Sequence, residues 1–376
     1  MKKIYFILIV ILLGGWFSYL SYQVPKDKMD FQIAIKPIPY TEPYFSKIDI
    51  PMPEGVASAH SATLTSLENG NLLAAFFAGS KEGAKDVKIY GSIYDSKKRF
   101  WSKPFVMLTR EDLSKKSKQY IKKLGNPVLY RVKNRIYLFV VGVSIGGWAT
   151  SKIYELYSDE FSPQKTLTYK QMLELSPFGN ISNLVRSTPI ALSDGGFILP
   201  IYHELADKYS LMVRFDSSGN VVSTNKPNNL HGQLQPTLAP LSHTKCLAVF
   251  RNKNVYQNTM FSQVCEDGGE KWLPPEKTNI KNYDNSANLI RFNKDIYLIH
   301  NTFNKSPGLE RGTLTLSIMI SPKQFRKITD LDYTTSAEVS YPTTITDGDN
   351  IDIVYTFNRK NIRHIRLNRS FLRTKL

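Results

Sequence analysis

Three arginines, Arg186, Arg251 and Arg311, stand beside apolar runs in well-separated parts of the chain. A single arginine in such a place caps backbone carbonyls or pairs with a neighbouring carboxylate. Three are harder to explain that way, because an unpaired buried cation is costly and the planar guanidinium fork matches a carboxylate bidentately. Together they point to an anionic ligand. His60 fits either a ligand contact or a hydrogen-bonded core histidine. Asp86, four residues before Tyr90, fits an acid or a turn acceptor, and Tyr341 is on its own account a strand aromatic.

Residues this far apart meet only if the fold gathers them, and an internal repeat supplies the means. Six copies of an apolar strand, a turn rich in Asn, Asp, Gly or Lys, and a second run of β-formers begin at His60, Asn126, Arg186, Gln235, Asn285 and Ser340. Their spacing of roughly 50 to 65 residues is that of a four-stranded propeller blade. Ile136-Tyr137-Leu138-Phe139-Val140 reads as strand, and Asn69-Gly70 and Asp347-Gly348 read as hairpin turns. Only Ser114 to Leu124 and Leu167 to Leu175 suggest short helices. The expected fold is all-β, a six-bladed β-propeller over residues 51–370.

In a hairpin, the residue entering the first strand and the residue leaving the second lie at the same end. In a ring these positions surround the central depression of one face. They are His60; Lys81, Glu82 and Asp86; Asn126; Arg186; His203 and Glu204; Gln235; Arg251 and Asn252; Asn288; Asn301; Glu338 and Tyr341; and Arg359. The opposite ends carry ordinary turn residues.

Composition narrows the function classes. The 376 residues are 42% hydrophobic, enough for a large core. Lys+Arg exceed Asp+Glu by 49 to 32, giving +17, yet no block of six like charges exists, which argues against nucleic acid. Two cysteines exclude a four-thiolate zinc site, and no metal or cofactor is expected. Cys246 and Cys265 flank the loop Asn252 to Asn258 and could be cross-strand neighbours, either as small buried hydrophobes or as a disulfide in an oxidising compartment.

Met1-Lys2-Lys3 precedes an uncharged, mostly apolar stretch of about 17 residues, Ile4 to Leu20, near the lower limit for a membrane span. Its end offers a poor cleavage site. Residues 1–23 are therefore read as an uncleaved transmembrane anchor with its N-terminus in the cytoplasm, and 24–50 as a tether.

Cys265-Glu266-Asp267-Gly268-Gly269-Glu270-Lys271-Trp272 fits an Asp-box, in which Asp accepts backbone N–H bonds and Trp packs between blades; Asp95 followed by Trp101 is a degenerate copy. With the sixfold repeat and the phrases RSTPIAL, QPTLAPL, FRN, SAEVSYP and YTFNRKNIRHIRLN, these features make residues 55 to 368 resemble the sialidase and neuraminidase superfamily, particularly its BNR-repeat, sialidase-like branch.

The resemblance implies a carboxylate substrate held by arginines, a tyrosine nucleophile paired with a glutamate, and an acidic residue as acid/base. Mapped here, Arg251 and Arg311, with Arg186 or His60, clamp the carboxylate, Tyr341 attacks after losing its proton to Glu338, and Asp86 or Glu82 protonates the leaving oxygen. Gln235, Glu82, Asn288 and Arg359 complete the expected substrate contacts. A phenol suits a 2-keto sugar acid because an attacking carboxylate would be repelled by the acid's own charge. Three positions depart from the pattern: His60-Ser61-Ala62-Thr63 replaces Arg-Ile-Pro, Gln235 replaces the glutamate upstream of Arg251, and the acid is not uniquely placed.

The expected activity is an exo-glycosidase releasing a 2-keto-3-deoxy sugar acid, namely Kdo from lipopolysaccharide core, with retention. Alternatives are an exo-sialidase, a hydrolase of uronic-acid glycans using His60, and a non-catalytic acidic-glycan-binding propeller or accessory subunit of a two-component hydrolase. The expected surroundings are the bacterial inner membrane, with the propeller in the periplasm, an acidic envelope glycan as partner, and room for a partner subunit.

Overall fold

The computed structural model describes residues 2–23, 30–33, 35, 41–176, 180–303 and 309–376. Among these residues six antiparallel sheets of four or five strands form the blades of a closed ring. Blades 1 to 6 open with the inner strands Ser58–Ser66, Lys123–Val132, Asn183–Val185, Gln233–Pro240, Asn288–Phe292 and Val339–Asp347.

The second strand of blade 1, Leu72–Gly79, is buried along its whole length and reads LLAAFFAG without alternation, because neighbouring blades cover both of its faces. The third strand, Lys88–Asp95, already alternates between buried and half-buried positions. Six apolar clusters lie at the six blade boundaries. Between blades 2 and 3, for example, Phe139 packs on Phe197 and Phe215 with ring centroids 6.1 and 5.5 Å apart.

Part of the segment read as tether belongs to the propeller. Phe45–Ile50 is the outer strand of blade 6, paired antiparallel with Asn361–Asn368 from Phe45↔Leu367 to Ile50↔Ile362. Its alternating polar and apolar residues suit an edge with one covered face. Asp30 to Gln32 lie against the turn ends of blades 3 and 4, where Gln32 N–H donates to Ala191 O at 3.0 Å and Phe31 is fully buried. The remaining tether, 24–29, 34 and 36–40, lies outside the described residues. Lys2–Gln23 is helical, and its described side chains, Ile4 to Trp16, are all exposed. Within the described residues no helix is long and apolar enough to cross a membrane.

The two expected short helices differ from the outcome. The first begins earlier and ends sooner, as Arg110–Ser117, because Thr109 and Asp112 close a capping box and Lys118 turns left-handed. The second is a strand, Thr168–Met172, which pairs with Ser151–Ser158 as the outer edge of blade 2; tertiary pairing overrides a weak helical pattern there.

Cys246 and Cys265 are directly opposite in register and joined by a disulfide, with Cα atoms 4.9 Å apart. In the Asp-box, Trp272 donates from Nε1 to Gly269 O at 3.0 Å, but among the described residues the Asp267 carboxylate pairs with Lys271 at 2.6 Å and accepts from no backbone amide. The degenerate copy keeps the expected bonds: Asp95 accepts from Lys97 N–H and Lys98 N–H at 3.0 and 2.8 Å.

Candidate functional site

The inner strands of blades 1, 4 and 6 share a local irregularity near their first residues. The pairing jumps from His60↔Phe77 to Thr63↔Ala75, from Leu234↔Arg251 to Thr237↔Val249, and from Ser340↔Thr356 to Thr343↔Val354. Two residues oppose one in each case, a β-bulge, which re-aims side chains. Ser61, Gln235 and Tyr341 sit in these bulges with φ of 56°, 42° and 57°, a left-handed conformation that costs roughly 1–3 kcal/mol for a residue with a side chain. Asn126 is the extra residue of a similar shift in blade 2. Repetition of the bulge around the ring brings side chains from distant blades to one depression.

That depression is a cavity of about 210 Å³ lined by Glu82, Asn126, Trp148, Leu184, Tyr202, Glu204, Gln235, Arg251, Arg311, Tyr341 and Arg359. Tyr341 is 9% exposed, and its hydroxyl oxygen accepts from Arg251 Nη1 at 2.9 Å and Gln235 Nε2 at 3.5 Å. Arg251 is held in turn by Asp284, Nε to Oδ1 at 2.7 Å, and Asp284 also binds Lys253 at 2.6 Å. Arg311 donates from Nε to Asn285 Oδ1 at 2.8 Å, from Nη2 to Asp284 O at 2.7 Å and from Nη1 to Glu338 Oε2 at 3.2 Å. Arg359 bridges Glu338, at 3.0 Å, and Glu82.

The charges act on the phenol in opposite directions. Burial pushes Tyr341 up, but the Arg251 and Arg311 guanidiniums outweigh it, leaving the phenol below the usual tyrosine range. Glu204 lies on the cavity wall with no ion pair among the described residues, and burial raises its carboxyl above the usual glutamate value. The arrangement therefore offers a phenol easier to ionise than an ordinary tyrosine, cations to receive an anion, and a carboxyl harder to ionise than an ordinary glutamate.

Of the sequence-predicted residues, Tyr341, Gln235, Arg251, Arg311, Arg359 and Glu82 share this cavity, and Glu338 ties two of its arginines together. The others have different places. Arg186 is 2% exposed and lies under the Tyr341 ring at 5.0 Å, donating to Thr343 Oγ1 at 2.7 Å and Pro342 O at 3.1 Å. Burial brings it down to about 10. It is a support for the tyrosine, too deep to clamp a ligand.

His60 is also under Tyr341, with ring centroids 4.2 Å apart, and neither ring nitrogen has a hydrogen-bond partner among the described residues. Burial first, then the surrounding arginines, hold it well below the usual histidine range, so it is neutral and cannot serve as a cationic clamp. Asp86 is exposed and accepts from the Ser80 N–H at 2.8 Å and hydroxyl at 2.9 Å, the turn-acceptor alternative; it does not line the cavity. Asn288 is buried at the boundary of blades 4 and 5, where its Nδ2 faces Thr237 Oγ1 at 3.5 Å.

The selection of site residues missed Tyr202, Trp148 and Asp284, and passed over Asn126 and Glu204. The last two stood among the blade-end polar residues, which was their signal. Tyr202, whose hydroxyl accepts from both Asn126 and Gln235 at 3.2 Å, and Asp284, in a loop before blade 5, carry no periodic mark.

The fold is that of known sialidases. Trypanosoma rangeli sialidase superposes with a TM-score of 0.68 at 12% identity over 89% of this chain, which spans 61% of that protein. A Hadza microbial sialidase gives 0.62 at 13% identity, over 83% of this chain and 66% of its own. A Dyadobacter fermentans protein of unknown function gives 0.67 at 12% identity, over 86% of this chain and 97% of its own. No curated protein matches at a significant level. The pattern of the BNR repeat-like domain matches residues 70–353, from the first hairpin turn of blade 1 to the second strand of blade 6, and the chain belongs to that family.

Proposed function

We propose that the chain is an exo-glycosidase that releases a 2-keto-3-deoxy sugar acid, Kdo of lipopolysaccharide core, with retention of configuration. The observation that carries this reading is the Tyr341 hydroxyl bonded to Arg251, with Arg311 5.9 Å from the same ring, in one small cavity. The anomeric carbon of such an acid bears a carboxylate. Arginines receive that group, and a phenolate attacks beside it with less repulsion than a carboxylate would meet.

Glu338 is a poor base for Tyr341, because Arg311, Arg359 and the Ser340 hydroxyl occupy its oxygens. The guanidiniums instead make the phenol easier to ionise. Glu82 is engaged by Arg359, whereas burial raises the carboxyl of Glu204, which has no ion pair among the described residues and is the better donor to the leaving oxygen. Trypanosoma rangeli sialidase has been solved with sialic acid and with a difluorinated 2-keto-3-deoxy nononic acid, so this fold accommodates that acid class. Kdo, the member of that class without the amide arm of sialic acid, is the acid proposed for this cavity of about 210 Å³. The N-terminal helix is proposed as an uncleaved inner-membrane anchor that keeps the propeller, in the periplasm, near a substrate confined to two dimensions.

One observation favours a second reading, a non-catalytic binder of acidic glycans: Gln235 stands in place of a glutamate and Asp86 lies outside the cavity. Mass spectrometry of lipid A–core from cells with and without the chain separates the two. Loss of one Kdo in its presence supports the hydrolase. Unchanged core, together with Kdo binding by the purified chain, favours the binder.

A further inference from the structure

The N-terminal part of the chain meets the propeller on its turn side. Asp30 to Gln32 are fixed there between blades 3 and 4: Phe31 is fully buried and bridges to Leu192, its N–H donates to His243 O, and Ser193 N–H donates to Asp30 O at 2.8 Å. Ser193 and His243 belong to the hairpin turns that join Ile190–Ala191 to Phe197–His203 and Gln233–Pro240 to Cys246–Asn252. The candidate cavity opens at the other ends of these strands, where Tyr202, Glu204, Gln235 and Arg251 line it. We propose that the turn face is a lipid-facing surface, resting on anionic headgroups of the membrane that holds the helix, so that the cavity opens away from that membrane and receives its glycan from the water side. The inference rests on the anchor proposed above and gives it an orientation.

Reach is the first argument. Six residues, 24–29, separate Gln23 at the end of the helix from Asp30. Even fully extended they cover no more than about 25 Å. With the cavity turned toward the bilayer, the chain would have to run outward past the outer strands, about 10 Å, then along their length, about 20 Å for seven residues, and finally past the loops around the cavity. That path is longer than the tether.

Charge is the second. Lys97 and Lys98 in blade 1, Lys133 in blade 2, Lys294 in blade 5 and Arg373 after the last strand of blade 6 are exposed at turn ends, and none has an ion pair among the described residues. Several carboxylates of the same face are already occupied: Asp159 by Arg135, Glu160 by Lys165, Asp194 by Arg214, Glu266 by Lys245 and Asp267 by Lys271. The unpaired cations suit lipid phosphates, whose field reaches only about a Debye length from the bilayer, so a face held this close can feel it.

The test uses the full chain in phosphatidylcholine vesicles with and without phosphatidylglycerol. Both native cysteines are in the disulfide, so one introduced cysteine takes the fluorescent label: Asn134→Cys at the turn end of blade 2, or Lys360→Cys beside the cavity, both exposed positions. Lipids carrying a nitroxide on the headgroup quench what lies near the bilayer surface. The Asn134→Cys label is expected to lose its fluorescence in anionic vesicles, and to regain part of it when phosphatidylglycerol is omitted or when Lys97→Glu and Lys294→Glu are added. The Lys360→Cys label keeps its fluorescence throughout. Equal loss at the two positions, loss at neither, greater loss at Lys360→Cys, or loss at Asn134→Cys that ignores lipid charge overturns the proposal. Flotation of the vesicles tells this failure from that of the anchor. Chain that stays behind refutes the anchor and the orientation with it, whereas chain that floats with the wrong quenching pattern refutes the orientation alone.

Discussion

Arg251 donates from Nη1 to the Tyr341 hydroxyl oxygen across 2.9 Å, and among the described residues no carboxylate touches that hydroxyl. A buried phenol ordinarily resists ionisation. Here the fields of Arg251 and Arg311 reverse that tendency, and Asp284 fixes the orientation of the nearer guanidinium. In the proposed reaction the tyrosine is therefore activated through cations where a paired glutamate would serve as base.

This relationship predicts a shift in pH dependence. If the Tyr341 phenolate is the reacting form, kcat/KM rises with pH through the Tyr341 pKa, which lies below the ordinary tyrosine value. Removing a cation raises that pKa, so in Arg251→Gln the acid limb moves to higher pH by about one unit or more. Tyr341→Phe loses kcat on the order of 10³-fold or more. An acid limb that stays in place in Arg251→Gln refutes cationic activation.

In the proposed reaction Glu204 is the proton donor and sets the other limb. Burial raises its pKa, and as a proton donor it must be protonated, so the rate falls as pH climbs past that raised value. Glu204→Gln is expected to cost on the order of 10²- to 10³-fold in kcat on a natural glycoside. It costs far less on an aryl glycoside whose leaving group needs no proton. Equal losses on both substrates would remove Glu204 from the proton transfer.

Two buried histidines predict how the fold responds to acid. Burial holds His60 well below the usual histidine range and brings His300 down to about 4. Both are neutral in the folded chain, while the unfolded chain protonates them below roughly pH 6.5. Stability is therefore undiminished above that pH and falls as pH drops toward the folded-state values, at about 1.4 kcal/mol per unit for each histidine. Urea midpoints across pH 7 to 5 measure the slope, and His300→Gln is expected to lessen it. A flat profile contradicts the neutral assignment.

The ring was legible because each blade's second strand is a largely apolar run that follows a turn and a first strand of β-formers, a pattern that repeats visibly even where the units differ in length. The face bearing the site followed from hairpin geometry alone. Depth was not legible: Arg186 stands at a strand end like Arg251, yet its side chain passes beneath Tyr341 into backbone carbonyls, whereas Arg251 reaches the cavity. Nor does spacing reveal which carboxylate of a loop faces inward. Glu82 and Asp86 are four apart, and it is the Ser80 amide that captures Asp86. Polar outer strands such as Thr168–Met172 lack alternation, because their register is set by the neighbouring strand.

The same difficulty hid the closing strand, whose removal gives the sharpest test of how the ring holds together. Phe45–Ile50 completes blade 6 from the opposite end of the chain. Ile50 is buried, Phe45 packs on Phe371 at 5.0 Å, and Lys47 binds Asp332 at 2.6 Å. Asp332 also receives Tyr355 and Arg363, at 2.7 and 2.8 Å, so losing Lys47 leaves a buried carboxylate with less compensation. Without the strand, Asn361–Asn368 becomes an open edge, prone to pairing with other chains. A chain beginning at Phe45 and one beginning at Pro51 both lack Phe31 and the helix, so their difference isolates this strand. The longer chain is expected to be more stable by on the order of 4 kcal/mol, from burial of Ile50 and a ladder of backbone bonds. Equal urea midpoints for the two would show that the ring closes through blades 1 and 6 without it.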